Sequence, residues 1–187
     1  MFAADYRHMA WQKLSGKWGI AVLAYLLLSV IMGVLSGTVI GMLLLAGPLS
    51  LGYIMLIKAV RDGYTPSIEM LFRGFTMNFV NSMLAYILTG VFTFLWSLLF
   101  IVPGIIKSYS YAMTFYVMDD HPEMTAMEAI AESQRIMNGN KWRLFCLEFS
   151  FIGWYLLCVL TLGVLTFWVA PYREVAKAEF YESIKDN

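Results

Sequence analysis

Six runs of apolar residues alternate with polar, charged segments along the chain. A membrane helix needs about 20 apolar residues to cross about 30 Å of hydrocarbon, and the first three runs are close to that length. The fourth has about 14 residues and the sixth is shorter still, which local thinning of the bilayer or burial in a bundle accommodates. The pattern therefore predicts an all-α integral membrane protein with six membrane helices. The runs cover residues 18–36, 39–57, 80–102, 105–118, 144–160 and 162–170.

The segments between the runs are of two kinds, and this difference predicts how the helices pair. Three breaks are only three residues long and carry no charge, at residues 36–38, 102–104 and 161–163. The other connections are longer and contain twelve of the thirteen lysine and arginine residues. Because positively charged segments stay in the cytoplasm, we expect three helical hairpins whose charged connections and both termini are cytoplasmic.

Five spans are the main alternative, with residues 161–170 extending the fifth helix. That arrangement would export Arg173, Lys177 and Lys185, which the positive-inside rule disfavours. Six spans within a single membrane domain, residues 1–187, are therefore the preferred prediction.

One short phrase, in which a glycine is flanked by basic and aromatic residues, occurs three times. It is centred on Gly16, Gly74 and Gly139, and a proline follows each glycine after 32, 29 and 32 residues. Such self-similarity indicates an internal repeat, each copy being an amphipathic inner-surface helix, a glycine turn and a hairpin. Thr125 and Glu128 have the spacing of a capping box, which begins such a helix in the third copy. The copies span about residues 4–62, 65–119 and 124–184.

Composition supports a membrane protein and excludes several classes of function. Hydrophobic residues make up 60% of the 187 residues and charged residues 14%, against about 25% charged in soluble domains. The formal net charge is zero, so no basic surface for nucleic acid is expected. Cys146 and Cys158 lie twelve residues apart in one apolar run, too far along a helix for a disulfide. The sequence contains no catalytic, metal-binding or cofactor-binding motif, and we expect none of these sites.

Basic and aromatic residues beside the turn glycines are candidate anchors to the membrane surface. Lys17 and Trp18 follow the first glycine, and Lys141 and Trp142 follow the third. Both residue types favour the headgroup level of a bilayer. Lys107 is the one basic residue away from the inner side, so it is a candidate functional group in the outer leaflet. The alternative is that its side chain merely extends to the outer headgroups.

Four charged residues form a candidate polar cluster at membrane depth. Glu148 lies near the start of the fifth apolar run, and Arg173, Glu174 and Lys177 follow Pro171 in the last helix. The helical rise brings Glu148 and Arg173 to similar depths. Since an ionisable group within a membrane is functional or paired, we predict that these four form a cytoplasm-facing polar cavity or an ion-pair cluster. A structural salt bridge in a thin membrane crossing is the alternative.

Several motifs, in their order along the chain, resemble one family. These are AWQKLSGKWG at residues 10–19, GPLSLGY at 47–53, VPGIIKSYS at 102–110, SQRIMNG at 133–139, and APYR at 170–173 followed by AEFY at 178–181. Together they are similar to the bacterial integral membrane proteins known as domain of unknown function 975, and the resemblance spans nearly the whole chain. It implies a multi-pass protein of the bacterial cytoplasmic membrane, and it implies no activity and no catalytic residue.

Two functions from different classes follow from these observations. The first is a non-enzymatic integral membrane component that binds the lipid bilayer and an anionic lipid or another membrane protein. The alternative is a small transporter, or the membrane subunit of one, with a cytoplasm-facing polar cavity. The sequence also allows a homo-oligomer, because small residues such as Gly33 and Gly37 permit close packing between helices of two chains.

Overall fold

The computed structural model describes residues 2–186, and within this range every regular element is a helix. The α-helices are α1 (Ala3–Leu14), α2 (Trp18–Leu35), α3 (Val39–Arg61), α4 (Arg73–Met77), α5 (Phe79–Leu99), α6 (Ile101–Tyr111), α7 (Thr114–Asp120), α8 (Ala126–Ile136), α9 (Lys141–Phe149), α10 (Ile152–Leu160) and α11 (Thr166–Glu182). A 3-10 helix, Ile68–Phe72, precedes α4.

Four segments of the described chain are long and apolar enough to cross a membrane. They correspond to the first, second, third and fifth apolar runs, and they span Trp18–Leu35, Ile40–Arg61, Phe79–Leu98 and Lys141–Leu160. The fourth run is divided between α6 and α7, and the sixth begins in the turn before α11. The chain is therefore all-helical with membrane-type helices, while six spans, three repeated hairpins and the orientation of the termini stay predictions.

Burial is uneven along the long helices. Residues 51–61 of α3 are all buried, as is most of α11 from Val169 onward. By contrast, only 11% of the apolar stretch in α2 and in α5 is buried, and Val30, Phe94 and Val159 expose 56%, 66% and 75% of their surface. Apolar surface of this extent is unfavourable in water and is typical of an interaction surface. The outer faces of these helices therefore fit a hydrocarbon environment.

Helix α3 lies at the centre of the core, with α1, α7 and α11 packed around it. Tyr6 of α1 packs edge-on against Phe180 of α11, with ring centroids 5.6 Å apart. Tyr116 of α7 packs against Tyr181 of α11 at 5.4 Å. All four rings are almost completely buried, and such aromatic pairs stabilise beyond the area that they bury. They attach α1 and α7 to α11, which carries the charged residues described below.

Two of the three repeated glycines form the expected turns. Gly16 lies between α1 and α2 with φ +78°, and Gly139 lies between α8 and α9 with φ +80°. These are left-handed conformations that favour glycine. The predicted glycine turn between a short helix and the following helix is confirmed at both positions.

The glycine in the second copy of the phrase has a different role. Gly74 lies inside α4 without a positive φ, and a Cβ there would lie 2.1 Å from the carbonyl oxygen of Pro48. Gly52 faces the 3-10 helix in the same way, with the Leu71 carbonyl oxygen 2.0 Å from its Cβ position. The prediction of a glycine turn at Gly74 is wrong, because this glycine allows α3 and α4 to approach closely.

The start of α8 agrees with the sequence pattern. The Thr125 hydroxyl accepts a hydrogen bond from the Glu128 backbone N–H at 3.4 Å, and the Glu128 carboxylate accepts one from the Thr125 backbone N–H at 2.7 Å. This reciprocal pair is a capping box, so the predicted helix start is confirmed. Further along α8, the buried Ser133 hydroxyl donates to the Ser110 carbonyl at 2.8 Å, which attaches α8 to α6.

Candidate functional site

Three of the four predicted cluster residues lie together on α11. The Glu174 side chain is buried, and its carboxylate lies 2.7 Å from Arg173 Nη2 and 3.7 Å from Lys177 Nζ. Tyr116 of α7 donates a hydrogen bond from its hydroxyl to the other carboxylate oxygen at 3.2 Å. A buried carboxylate needs such partners because burial removes its hydration. The Glu174 carboxylate thus accepts hydrogen bonds from Arg173 and Tyr116 and has a second cation, Lys177, beyond hydrogen-bond distance.

Glu148 is not part of this cluster. Its carboxylate accepts a hydrogen bond from the Tyr109 hydroxyl at 2.9 Å, and within residues 2–186 no ion pair joins it to Arg173. The Arg173 guanidinium instead bonds Glu174 and donates to the Tyr155 hydroxyl at 3.0 Å. The predicted Glu148–Arg173 pair is therefore replaced by a pair between adjacent residues of α11, which the helix itself brings together.

The α11 cluster faces a cavity of about 280 Å³ between α2, α3, α7 and α11. Part of the lining is charged, since it includes Arg173, Glu174 and Lys177. Four hydroxyl-bearing side chains also line the cavity: Tyr25, Ser50, Tyr53 and Tyr116. Other parts of the wall are apolar: Leu28, Ile54, Ala112, Phe115 and Ala170. We refer to this space as the ionic cavity. Sequence reasoning missed its tyrosines, although hydroxyls inside apolar runs were a visible signal.

Several donors around the ionic cavity have no acceptor within the described part of the chain. The Tyr53 hydroxyl and the Arg173 Nε are buried without a hydrogen-bond partner. Among the described residues, Lys177 Nζ makes one ion pair, 3.7 Å from the Glu174 carboxylate, which is beyond hydrogen-bond length. Buried polar groups are nearly always hydrogen-bonded, so an unpartnered pair of donors calls for a physical reason. The charged residues that line the cavity, Arg173, Glu174 and Lys177, carry one excess positive charge.

A second ionic group, which the sequence did not predict, joins the C-terminal ends of α3, α7 and α11. Lys58 Nζ lies 2.8 Å from Asp119 and also bonds Asp120, while Arg61 Nη1 lies 2.5 Å from Glu182. We call this group the end-of-helix network; its members are Lys58, Arg61, Asp119, Asp120, Tyr181, Glu182 and Lys185. Each of the three segments ends in charged residues, which was the available signal in the sequence.

The pKa of Asp120 shows that this network favours the ionised form of the carboxyl. Burial alone would raise the pKa of the Asp120 carboxyl, but the hydrogen bond and charge of Lys58 and the hydrogen bond from Tyr181 lower it below its usual value. Lys58 is itself buried, with only 8% of its side chain exposed. A carboxylate that stays ionised beside a buried ammonium is a structural ion pair, so we assign the network to stability.

Lys107 contacts two other helices. Its Nζ lies 3.4 Å from Gln134 Oε1 of α8 and 5.0 Å from the centroid of the Trp96 ring of α5. Because Gln134 belongs to the helix that the sequence places on the inner surface, Lys107 and this part of α8 must lie at a similar depth. The two predictions, Lys107 in the outer leaflet and α8 at the inner surface, therefore cannot both be right.

The side chains of the first pair of candidate anchors, Lys17 and Trp18, contact other residues of the protein. Lys17 Nζ donates to the Val60 carbonyl at 3.3 Å, in the last turn of α3. Trp18 packs against Trp11 and Tyr172, with ring centroids 5.1 Å and 6.2 Å away. Both side chains therefore also serve the fold, in addition to any contact with headgroups.

The second pair of candidate anchors is more accessible. Trp142 is 72% exposed and stacks on Phe145, which in turn stacks on Phe149, with centroid distances of 5.0 Å and 6.0 Å. Lys141 is half-buried at the start of α9. This exposed aromatic stripe on α9 is typical of a helix that faces the membrane interface.

An aromatic cleft of about 470 Å³ lies on another side of α11. Its aromatic lining consists of Trp11, Trp18, Trp154, Trp168 and Tyr172. The Tyr172 hydroxyl already donates to the Arg7 carbonyl at 3.1 Å. Among the described residues, none that lines the cleft is charged and could orient a ligand, so the ionic cavity is the stronger candidate site.

Metal binding has no support in the described range. Within residues 2–186, no group of three histidine, cysteine, aspartate or glutamate side chains is placed to hold an ion. Cys146 and Cys158 are both free thiols, Cys146 partly buried and Cys158 buried.

The comparisons with known proteins place the chain in one family. Comparison with curated proteins and with solved structures yields no match. A family model described as "Protein of unknown function (DUF975)" matches residues 1–110 and 100–187, and so covers the whole chain. This agrees with the resemblance carried by the sequence motifs. With its apolar helices and its full-length match, the chain belongs to the DUF975 family.

Proposed function

We propose that this protein is a non-enzymatic integral membrane component that binds a membrane lipid in the ionic cavity. The observation that carries the proposal is the composition of the cavity wall. Arg173 and Lys177 provide charge, while Leu28, Ile54 and Phe115 provide apolar surface within the same space. A lipid has the same two parts, a charged headgroup and apolar chains, so the cavity matches its chemistry.

The position of the cavity supports this proposal. Tyr25 and Leu28 lie on α2, a helix whose apolar stretch is only 11% buried. A ligand between α2 and the core would therefore lie beside helices whose outer faces fit hydrocarbon. In the proposed topology, six spans form three hairpins in the bacterial cytoplasmic membrane, with both termini and most positive charges in the cytoplasm.

Transport is the less favoured function. Transporter sites are commonly formed by helices that are broken at membrane depth. Here Pro48 lies inside the continuous helix α3 and Pro171 inside the continuous helix α11. The two helices that carry most of the polar cavity lining are thus unbroken, which favours a fixed binding site.

Two charge-removing variants test the lipid-binding proposal. We expect native mass spectrometry of the detergent-extracted wild type, incubated with dioleoyl phosphatidylglycerol, to show one retained lipid per chain. Lys177→Met should lower the retained fraction about tenfold, because a charge-assisted hydrogen bond contributes about 1.5–3 kcal/mol. Lys141→Met, which removes the same charge at the candidate surface anchor, should leave retention unchanged.

Two results would contradict the proposal. One is a wild-type protein that retains no lipid under conditions that keep it folded. The other is equal loss in both variants, which would move the binding site from the ionic cavity to the membrane surface.

A further inference from the structure

A second open space, of about 540 Å³, runs along the hairpin that α5 and α6 form. Its lining includes six side chains with hydroxyl groups: Tyr86, Thr89, Thr93, Ser97, Ser108 and Tyr111. None of the described residues that line it is charged. We call this space the hydroxyl groove. It is polar but uncharged, unlike the ionic cavity.

The α5 side of the hydroxyl groove is one face of a helix that is apolar enough to cross a membrane. Its hydroxyl residues on α5 follow one another at intervals of three or four positions, which places them on the same face. The stretch Phe79–Leu98 is only 11% buried, and α5 carries no charged residue. Polar groups in hydrocarbon are costly unless they are hydrogen-bonded. This face therefore favours a polar partner over lipid chains.

Tyr111 provides a donor that has no acceptor in the single chain. Its side chain lines the groove and only 8% of the residue is exposed. No described residue accepts a hydrogen bond from its hydroxyl. The hydroxyl is also not among the enclosed polar atoms that lack a partner, so it reaches the open space. A group in this position needs an acceptor from outside the chain.

The serine and threonine hydroxyls of the same groove provide unused acceptors. Three of them donate to carbonyls of their own helices at 2.7–2.8 Å: Thr89, Ser97 and Ser108. A hydroxyl that donates in this way keeps lone pairs that can accept a hydrogen bond. The groove thus has a free donor and free acceptors that do not meet within one chain. Such a face is complementary to a copy of itself.

A second copy would bring these groups together at the same depth. The Tyr111 ring lies 6.2 Å from the ring of Phe92, which places it at the level of α5 between Thr89 and Thr93. Copies inserted in the same direction present identical residues at identical depths, and a two-fold axis repeats each contact. Apart from the chain neighbours and local helix backbone of Gly90, no described heavy atom lies within 4 Å of its Cβ position. Gly90 therefore allows the helices to approach closely.

We infer that two copies of this chain pair through the hydroxyl groove, with the Tyr111 hydroxyl of each copy donating to Thr89 or Thr93 of the other. Lipid chains offer no acceptor to this face, and a charged partner would meet no opposite charge on it. The pairing goes beyond the proposed lipid binding and uses a different surface.

Cysteine crosslinking in bilayers tests the pairing. The full chain carries Cys146→Ala and Cys158→Ala, with a melting temperature checked against the wild type, and is reconstituted at low density. Gly90→Cys should form a disulfide-linked dimer on oxidation, because a disulfide needs two Cα atoms within about 7 Å. Val91→Cys is the matched control: it is the next residue, 45% exposed and outside the groove lining. It should crosslink at least fivefold less.

Two variants test the groove by affinity, measured as the dimer fraction against protein density in bilayers. Tyr111→Phe should weaken dimerisation about tenfold, because two-fold symmetry removes two interhelical hydrogen bonds at once. Gly90→Leu should weaken it at least tenfold by blocking close approach, with no loss of melting temperature. Val91→Leu should leave the affinity unchanged.

Several results would overturn the pairing. One is a wild-type chain that stays monomeric in bilayers, and another is equal crosslinking of Gly90→Cys and Val91→Cys. Stronger crosslinking of Gly33→Cys would move the interface to α2. Folded Tyr111→Phe and Gly90→Leu variants that both keep wild-type affinity would exclude the groove. Crosslinking of Gly90→Cys only to a different protein in native membranes would replace the second copy by another partner.

Discussion

The Gly52→Ala variant is expected to unfold at a clearly lower temperature than the wild type. An added Cβ would lie 2.0 Å from the Leu71 carbonyl oxygen and 2.8 Å from that of Met70. Both are backbone atoms, which cannot move aside as the end of a flexible side chain could. Forcing α3 away from the 3-10 helix should reduce the free energy of unfolding by about 3 kcal/mol, at the upper end for overpacking. Thermal unfolding in detergent, followed by tryptophan fluorescence, measures the loss.

Gly33→Ala is the matched control for this prediction. Gly33 also lies within an apolar helix, α2, but apart from its chain neighbours and the local backbone of that helix, no heavy atom of residues 2–186 lies within 4 Å of its Cβ position. Alanine there should leave the melting temperature unchanged or raise it slightly, since glycine within a helix costs about 0.5–1 kcal/mol relative to alanine. Equal melting temperatures for the two variants would contradict the close packing of α3 against the 3-10 helix.

Lys58→Met is expected to destabilise the fold by a similar amount. The Lys58 ammonium is buried against Asp119 and Asp120, and methionine retains its approximate length without the charge. Removing one partner of a buried ion pair leaves carboxylates uncompensated and costs about 3–5 kcal/mol. We expect the lower end of that range, because Asp120 keeps the hydrogen bond from Tyr181 and a contact with Lys185. The same thermal unfolding assay measures this effect.

The charge specificity of this effect can be tested with a triple variant. Adding Asp119→Asn and Asp120→Asn to Lys58→Met removes the uncompensated carboxylates, so part of the lost stability should return. Lys13→Met, at an exposed lysine of α1, should change the melting temperature little. A triple variant that is less stable than Lys58→Met alone would show that the network does not act through charge pairing.

Local patterns explain which parts of the fold could be predicted from the sequence. The capping box at Thr125 and the turns at Gly16 and Gly139 depend on residues within a few positions of one another. The long apolar helices follow directly from composition. The role of Gly74 could not be predicted, because its close neighbour, Pro48, lies 26 positions away along the chain.

The same distinction applies to the candidate site. The positions of Arg173, Glu174 and Lys177 on one helix were visible in the sequence, and their ion pairs are local to α11. The Tyr116 hydroxyl that completes the cluster comes from a residue 58 positions away. Glu148 was misassigned because similar depth in a membrane does not fix which neighbour a side chain faces.

The end-of-helix network was missed for the same physical reason. Lys58 bonds a carboxylate 62 positions away and Arg61 one 121 positions away. Charges at the ends of helices are usually solvated and contribute little when exposed. Only the packing of α3 between α7 and α11 shows that these particular charges are buried together.

The central claim, that a phospholipid occupies the ionic cavity, is tested most directly by photo-crosslinking. The probe is a phosphatidylglycerol with a photoreactive group in one acyl chain, incorporated with the full-length protein into bilayers and mapped by peptide mass spectrometry. The structure predicts adducts on the apolar cavity wall, at Leu28, Ile54 or Phe115, with their yield reduced in Lys177→Met. Adducts confined to the exposed stripe of Trp142 and Phe149, with no dependence on Lys177, would contradict it.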